Sequence, residues 1–173
     1  MTDLPIYMTP GCAERMRAEL KDLLYVKRPE MAKTAEWAAG LGDRSENADY
    51  HYAKRALRRF DGRIRFLTKR LEEAMIVDPG AQDKVANGRV LFGCTVTVED
   101  EEGDKKQYSI VGVDEYDPGK GLVSWISPIG KALLKKEEGD VATFKTPSGV
   151  KELEIIKVEY IPIETGFVPQ RNV

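Results

Sequence analysis

"NADYHYAKRALRRFDGRIRFLTKRLEEAMI", residues 47–76, decides the architecture. Ala53, Leu57, Phe60, Ile64, Leu67, Leu71 and Ala74 recur in alternating steps of four and three, the seam of a coiled coil. The spacing predicts one helix from Asn47 to Ile76, roughly 45 Å long at about 1.5 Å per residue. Such a seam needs a partner, and the preceding segment supplies one. Thr9 and Pro10 form a start signal, an N-cap followed by the favoured first helical position. Met16, Leu20 and Leu23, then Met31, Ala35 and Ala38, carry an apolar stripe to Gly40 and Gly42, which stop it. Pro29 lacks an N–H, so the run must kink there or restart with Pro29 in a first turn. A short turn between two such helices makes them antiparallel neighbours. A compact bundle is the alternative; the length of the seam favours an extended hairpin.

From about residue 89 the pattern changes. "RVLFGCTVTVED" is apolar and β-branched, "EEGD" is a turn, and "KKQYSIVGVDEYD" continues with strand-like alternation. "PGKG" turns the chain again, "GLVSWI" reads as a strand, and "PIGKALLKK" as a short helix. "VATFKTPSGVKELEIIKVEYI" closes as a hairpin about Pro147 to Gly149. Residues 79–88, "PGAQDKVANG", read as a linker. The predicted class is α+β: a coiled-coil domain over residues 1–78, the linker at 79–88, and a mostly antiparallel-sheet domain with a C-terminal tail over 89–173.

Composition removes several function classes. The chain has 173 residues, 42% hydrophobic and 32% charged, enough for a core with charge to spare on an extended element. A net charge of -2 argues against wholesale coating of nucleic acid while permitting a local basic patch. Two separated cysteines, Cys12 and Cys94, and a single His51 exclude a zinc site or a disulfide framework. No apolar run reaches membrane length and the N-terminus lacks the pattern of a signal peptide. The expectation is a soluble cytoplasmic monomer with no membrane partner.

Charge is unevenly placed on the second helix. Lys54, Arg55, Arg58, Arg59, Arg63, Arg65, Lys69 and Arg70 stand against one acid, Asp61, and none of the eight falls on the seam. Exposed coiled-coil faces ordinarily mix signs, so this field suits phosphate. A solvated face balanced by Glu14, Glu19 and Glu30 of the first helix is the plainer reading. The turn "LGDRSENADY", residues 41–50, concentrates acid instead. If the helix began at Arg44, Asp43 and Glu46 would form a capping-box-like pair. Otherwise two carboxylates three residues apart can converge on one hard cation, and Mg²⁺ commonly takes one or two protein carboxylates. Two exposed carboxylates do not complete a catalytic site alone; they can complete one in a partner.

"LGDRSENADYHYAKRALRRFDGRIRFLTKRLE" closely resembles the bacterial Gre transcript-cleavage factors, the GreB-type branch more than the GreA-type. "ISPIGKALLKKEEGD" and "TPSGVKELEIIKVEYI" resemble the family's C-terminal signature, and the likeness covers roughly residues 7 to 162. The resemblance implies an FKBP-like fold for the C-terminal domain, docked at the entrance of RNA polymerase's secondary channel with the coiled coil threading it. It implies that Asp43 and Glu46 hold a second Mg²⁺ jointly with the polymerase, the isolated protein binding none. The protein would then be an accessory factor, activating the polymerase's own RNA hydrolysis. Arg44, Ser45, Asn47, Asp49 and Tyr50 match the family tip and would shape it. Lys54, Arg55, Arg58, Arg59, Arg63 and Arg65 match the patch for the 3′ end of backtracked RNA. Ser127 and Pro128 match a segment implicated in polymerase docking, although "SP" is also a helix start signal, and Ile126 replaces a polar residue common in the family. Trp37 and Trp125 are expected to pack. The remaining readings are a channel regulator without cleavage, a prolyl isomerase and a coiled-coil adaptor.

Overall fold

In a computed structural model the described residues are 4–42 and 45–165. They form two compact units, one spanning Glu14–Glu73 and the other the chain on either side of it. Asp43 and Arg44 lie outside the described residues, as does the tail from residue 166.

The first unit is the helical hairpin. Helix α1, Pro10–Asp22, opens on Thr9, whose Oγ1 accepts from Cys12 N–H at 3.4 Å, the N-cap the sequence predicts. Around Pro29 the chain neither kinks freely nor stops. Leu23–Lys27 widens into a π-helical turn in which Arg28 N–H donates to Leu23 O, and α2, Arg28–Ala39, restarts with Pro29 in its first turn. Proline cannot donate to the carbonyl four residues back, so the mismatch is absorbed just upstream of it.

Helix α3 spans Ala48–Glu73 and packs against α2. The seam is present, with its burial redistributed. Ala53 and Leu67 are fully buried, whereas Leu57, Phe60, Ile64 and Leu71 are half-buried. Ala56, off the predicted seam, is fully buried. A two-helix seam covers small side chains at the contact line completely and leaves most large ones open at one edge, Leu67 excepted. Ala35 and Ala38 of α2 are buried in the same way. Trp37, expected to pack, is 60% exposed.

The helix ends earlier than predicted. Ala74–Ile76 is a strand, β2, pairing parallel with β1, Ile6–Met8, in the register Ile6↔Ala74 to Met8↔Ile76. This pair joins the sheet-bearing unit, so the compact units do not divide at residue 78. The supposed linker also has structure: α4 is helical over Pro79–Ala86. Asp78 Oδ1 accepts from Gly80 N–H at 3.1 Å, Pro79 opens the helix, and Asn87 ends it in the left-handed region at φ 57°. The Pro and Gly that read as loop are start and stop signals of a two-turn helix.

The sheet has five strands in the order β5-β4-β3-β7-β6. They are β3 (Thr95–Glu99), β4 (Lys105–Val111), β5 (Leu122–Ser124), β6 (Val141–Thr146) and β7 (Gly149–Glu159). All neighbours are antiparallel except β4 and β5, and β7 bulges against β3 between Thr97 and Val98. Helix α5, Pro128–Leu133, contributes Leu133 to a core with Val96, Val98, Ile110, Leu153 and Ile155. Cys94 lies in that core, and burial pushes its thiol up to about 12, so it stays protonated and unreactive. Trp125 packs as expected, edge-on to Tyr7 at 5.1 Å.

One buried carboxylate anchors the root of α1. Glu115 is fully buried, and its Oε2 accepts from Thr9 N–H at 2.9 Å and from Gly112 N–H at 3.2 Å. Its Oε1 accepts from the Thr9 hydroxyl, which also lies 3.0 Å from Thr165 Oγ1. Gly112 is required there, because a Cβ would stand 2.2 Å from Tyr7 O. Thr165 is likewise fully buried, so the start of the tail is part of the fold.

Candidate functional site: the acidic turn and its basic flank

The turn is set by its neighbours in sequence. Gly40 N–H donates to Glu36 O and Trp37 O, and Leu41 N–H to Ala38 O at 3.1 Å. Gly42 has φ 134°, a conformation other residues rarely adopt. Asn47 then does two jobs. Its Oδ1 accepts from Tyr50 N–H at 3.0 Å, capping α3, and its Nδ2 donates to Ala38 O at 2.6 Å, tying α3 to the end of α2. A short side chain with both donor and acceptor is needed for this, which Asp could not supply. His51 Nε2 lies 3.2 Å from Ser45 O, closing the turn from the other side, and its ring meets Tyr50 edge-on at 5.8 Å.

This geometry removes the capping-box alternative. That reading needs Glu46 at the third helical position, but α3 begins at Ala48 with Asn47 as its cap. Glu46 stands before the helix, exposed, with no hydrogen bond or ion pair among the described residues. Asp49 is exposed in the first turn of α3, where a negative charge complements the helix dipole. Among the described residues no group of three or more His, Cys, Asp or Glu side chains is placed to hold a metal ion. What fits Mg²⁺ at this turn is the donor chemistry: an unengaged carboxylate oxygen, able to serve as one ligand among several from elsewhere.

The basic residues of α3 separate into free and engaged ones. Lys54, Arg55, Arg58, Arg59 and Arg65 are exposed. Arg63 is not available in the same way: its Nε donates to Glu19 Oε1 at 2.7 Å and its Nη2 to Glu19 Oε2 at 3.1 Å, a bidentate pair between α1 and α3. It also lies over Phe66, 5.1 Å from the ring centre, with Arg70 at 5.0 Å from the same ring. Asp61, the lone acid of this stretch, accepts from Arg28 Nε at 2.7 Å. That hydrogen bond, with the nearby charges of Arg28 and Arg65, holds the Asp61 carboxyl below its ordinary range. Spacing alone could show that these residues avoid the seam, but not which acids of the first helix would face them.

Ser127 and Pro128 begin α5. The Ser127 hydroxyl accepts from Gly130 N–H at 3.0 Å and donates to Ser124 O at 2.6 Å, so the start-signal reading is realised. Ser127 and Ile126 also line a largely apolar cavity of about 700 Å³, with Tyr108, Leu122, Ile129 and Phe144.

Two family descriptions match almost end to end: "Transcription elongation factor, N-terminal" over residues 6–76 and "Transcription elongation factor, GreA/GreB, C-term" over 85–160. The chain is 46% identical over 163 residues to transcription elongation factor GreB of Neisseria meningitidis serogroup B, covering 94% of this chain and 99% of the relative. It is 44% identical over 155 residues to GreB of Pseudomonas aeruginosa, covering 90% of each. GreA factor homolog 1 of Thermus thermophilus is a structural match at 26% identity, covering 90% of this chain and 99% of that one. Its TM-score of 0.41 is too low to add to what the elements themselves show. With both halves matched in order and the acidic turn capped by its own Asn47, the chain belongs to the GreA/GreB family of transcription elongation factors, on its GreB-like side.

Proposed function

We propose that the protein stimulates Mg²⁺-dependent cleavage of backtracked RNA by RNA polymerase, as an accessory factor lending ligands to the polymerase's own site. The observation that carries this is the exposed Glu46 carboxylate, placed on a turn held by Asn47 and spared from capping. Asp43, its partner in the acidic pair, acts with it. Asp43 and Glu46 would hold magnesium jointly with polymerase carboxylates, and the ion would supply Lewis-acid activation of water and charge stabilisation at the leaving oxygen. Within that arrangement Glu46 and Asp43 provide oxygen ligands and orient the attacking water. Asn47 fixes the height of the turn, and the exposed cations of α3 hold the phosphates of extruded RNA. Docking on the polymerase uses the corner at Ser127 and Pro128, where Ile126 and Ser127 border the apolar cavity. The factor works as a monomer in the cytoplasm.

The test is a stalled, backtracked elongation complex carrying labelled RNA, incubated with and without the full-length protein. Stimulated release of a 3′ fragment, dependent on Mg²⁺, is the expected result. Binding without release would show instead a channel regulator that does not cleave.

A further inference from the structure

Helical spacing divides the polar face of α3 into two flanks. Steps of three and four link Tyr52, Arg55, Arg59, Arg63, Phe66 and Arg70 along one of them. The same steps link Lys54, Arg58, Asp61, Arg65 and Lys69 along the other. The second flank carries its own acid, which is bound to Arg28. Between Tyr52 and Arg70 the first flank carries no acid, and its two halves differ. The half far from the turn is internally engaged, since Arg63 is paired with Glu19 and Phe66 lies between Arg63 and Arg70. The half next to the turn is unspent. Tyr52 is 55% exposed, Arg55 and Arg59 are exposed, and none of the three makes an ion pair or ring contact among the described residues.

An open aromatic ring with cations three and seven residues further along one helix face combines the two elements of single-strand recognition. The ring accepts a base by stacking and the guanidinium groups accept phosphates. An acidic peptide would use the cations and leave the ring without a purpose; single-stranded nucleic acid uses both. Tyr52 stands in the second turn of α3, directly after the turn that carries Glu46. We propose that Tyr52 stacks on a base of the extruded RNA while Arg55 and Arg59 hold its phosphates, and that the RNA track on this flank ends at Arg59. This rests on the proposed function and adds to it a base-binding residue and a boundary.

The experiment uses the full-length protein and backtracked elongation complexes whose extruded RNA carries 2-aminopurine, which loses fluorescence when stacked. Wild-type protein should quench the probe and stimulate cleavage. Tyr52→Leu should lose the quench and weaken binding to the extruded RNA roughly five- to a hundred-fold, the range found for removing one base–aromatic stack. Tyr52→Phe, which keeps the ring, should restore both. Arg59→Gln should lower the slope of binding against salt by about one, whereas Arg70→Gln should leave it unchanged. Helical circular dichroism of each variant shows whether the hairpin is intact. If wild-type protein stimulates cleavage and the quench survives in Tyr52→Leu, the stacking assignment is overturned while the proposed function stands. If wild-type protein does not stimulate cleavage, the proposed function falls and this assignment with it.

Discussion

Two helix starts in this chain solve one local problem and end in opposite states. At the root, Thr9 caps α1; at the turn, Asn47 caps α3. Both supply a side-chain oxygen to an otherwise unpaired N–H of the first turn. Around Thr9 the polar groups are buried and bonded to one another, with Glu115 accepting two N–H groups and a hydroxyl. Around Asn47 the carboxylates of Glu46 and Asp49 are left exposed, and the structural work falls on the amide of a neutral residue. A buried carboxylate that loses its donors is costly, so such a cluster serves stability. An exposed carboxylate with no internal partner contributes little to folding and is free to bind something outside the chain. The difference singles out the turn, not the root, as the end on which the proposed function rests.

The largest expected effect breaks the root. Glu115→Ala strands three buried donors, at about 1–3 kcal/mol each before relaxation, for a net loss of about 3–5 kcal/mol. A denaturant midpoint shift with an unchanged slope would register it. If stability falls by less than about 1 kcal/mol, the buried cluster is not the anchor its geometry implies.

Next comes the turn. Glu46→Gln should slow stimulated cleavage by roughly a hundred-fold, about 2.7 kcal/mol in the barrier, while binding to polymerase stays within a few-fold. Its melting temperature should match the wild type, because Asn47 rather than Glu46 caps the helix. Asp43→Asn should behave alike in the cleavage assay. Stability lost with cleavage retained would reverse the contrast between the two ends.

Asn47→Ala joins both properties and should be intermediate. Loss of the cap costs about 0.5–2 kcal/mol. The bond to Ala38 O is lost with it, so Glu46 is held less firmly and cleavage should fall several-fold. Asn47→Asp sharpens the result: it keeps the capping oxygen but cannot donate to Ala38 O, so it should recover stability more fully than cleavage.

The smallest effect belongs to the ion pair along the hairpin. Arg28 holds the Asp61 carboxyl below its ordinary value of 3.8, so the stabilisation is present above that pH and is lost as pH falls through the folded value. Both side chains are more than a third exposed, so solvent screens the pair and its contribution is small. Melting of wild type and Asp61→Asn between pH 6 and about pH 2 should therefore converge at the acid end. A gap that widens on acidification would contradict the pairing.

Much of this was legible before any coordinates. The three-four period of Ala53 to Leu71 foretold α3, Thr-Pro foretold the start of α1, and β-branched alternation bounded by glycine turns foretold the sheet. These are local rules, in which a residue's neighbours within one or two turns determine the backbone. The acidic turn was legible for the same reason, as a cluster within ten residues.

Tertiary structure decided what depends on distant partners. Strand β1 pairs with β2 across the whole length of the hairpin, which no short window contains. Nothing within "KKQYSIVGVDEYD" singles out Glu115; Thr9, 106 residues upstream, does. Arg63 looked as free as Arg59 until Glu19 faced it from the other helix. A helical period specifies which side a residue occupies, but not the axial register of the neighbouring helix, and that register selects which cations are paired and which stay open. The sequence therefore determined the two helices, the sheet and the acidic turn. Only packing decided that Asn47 would cap α3 and leave Glu46 unspent.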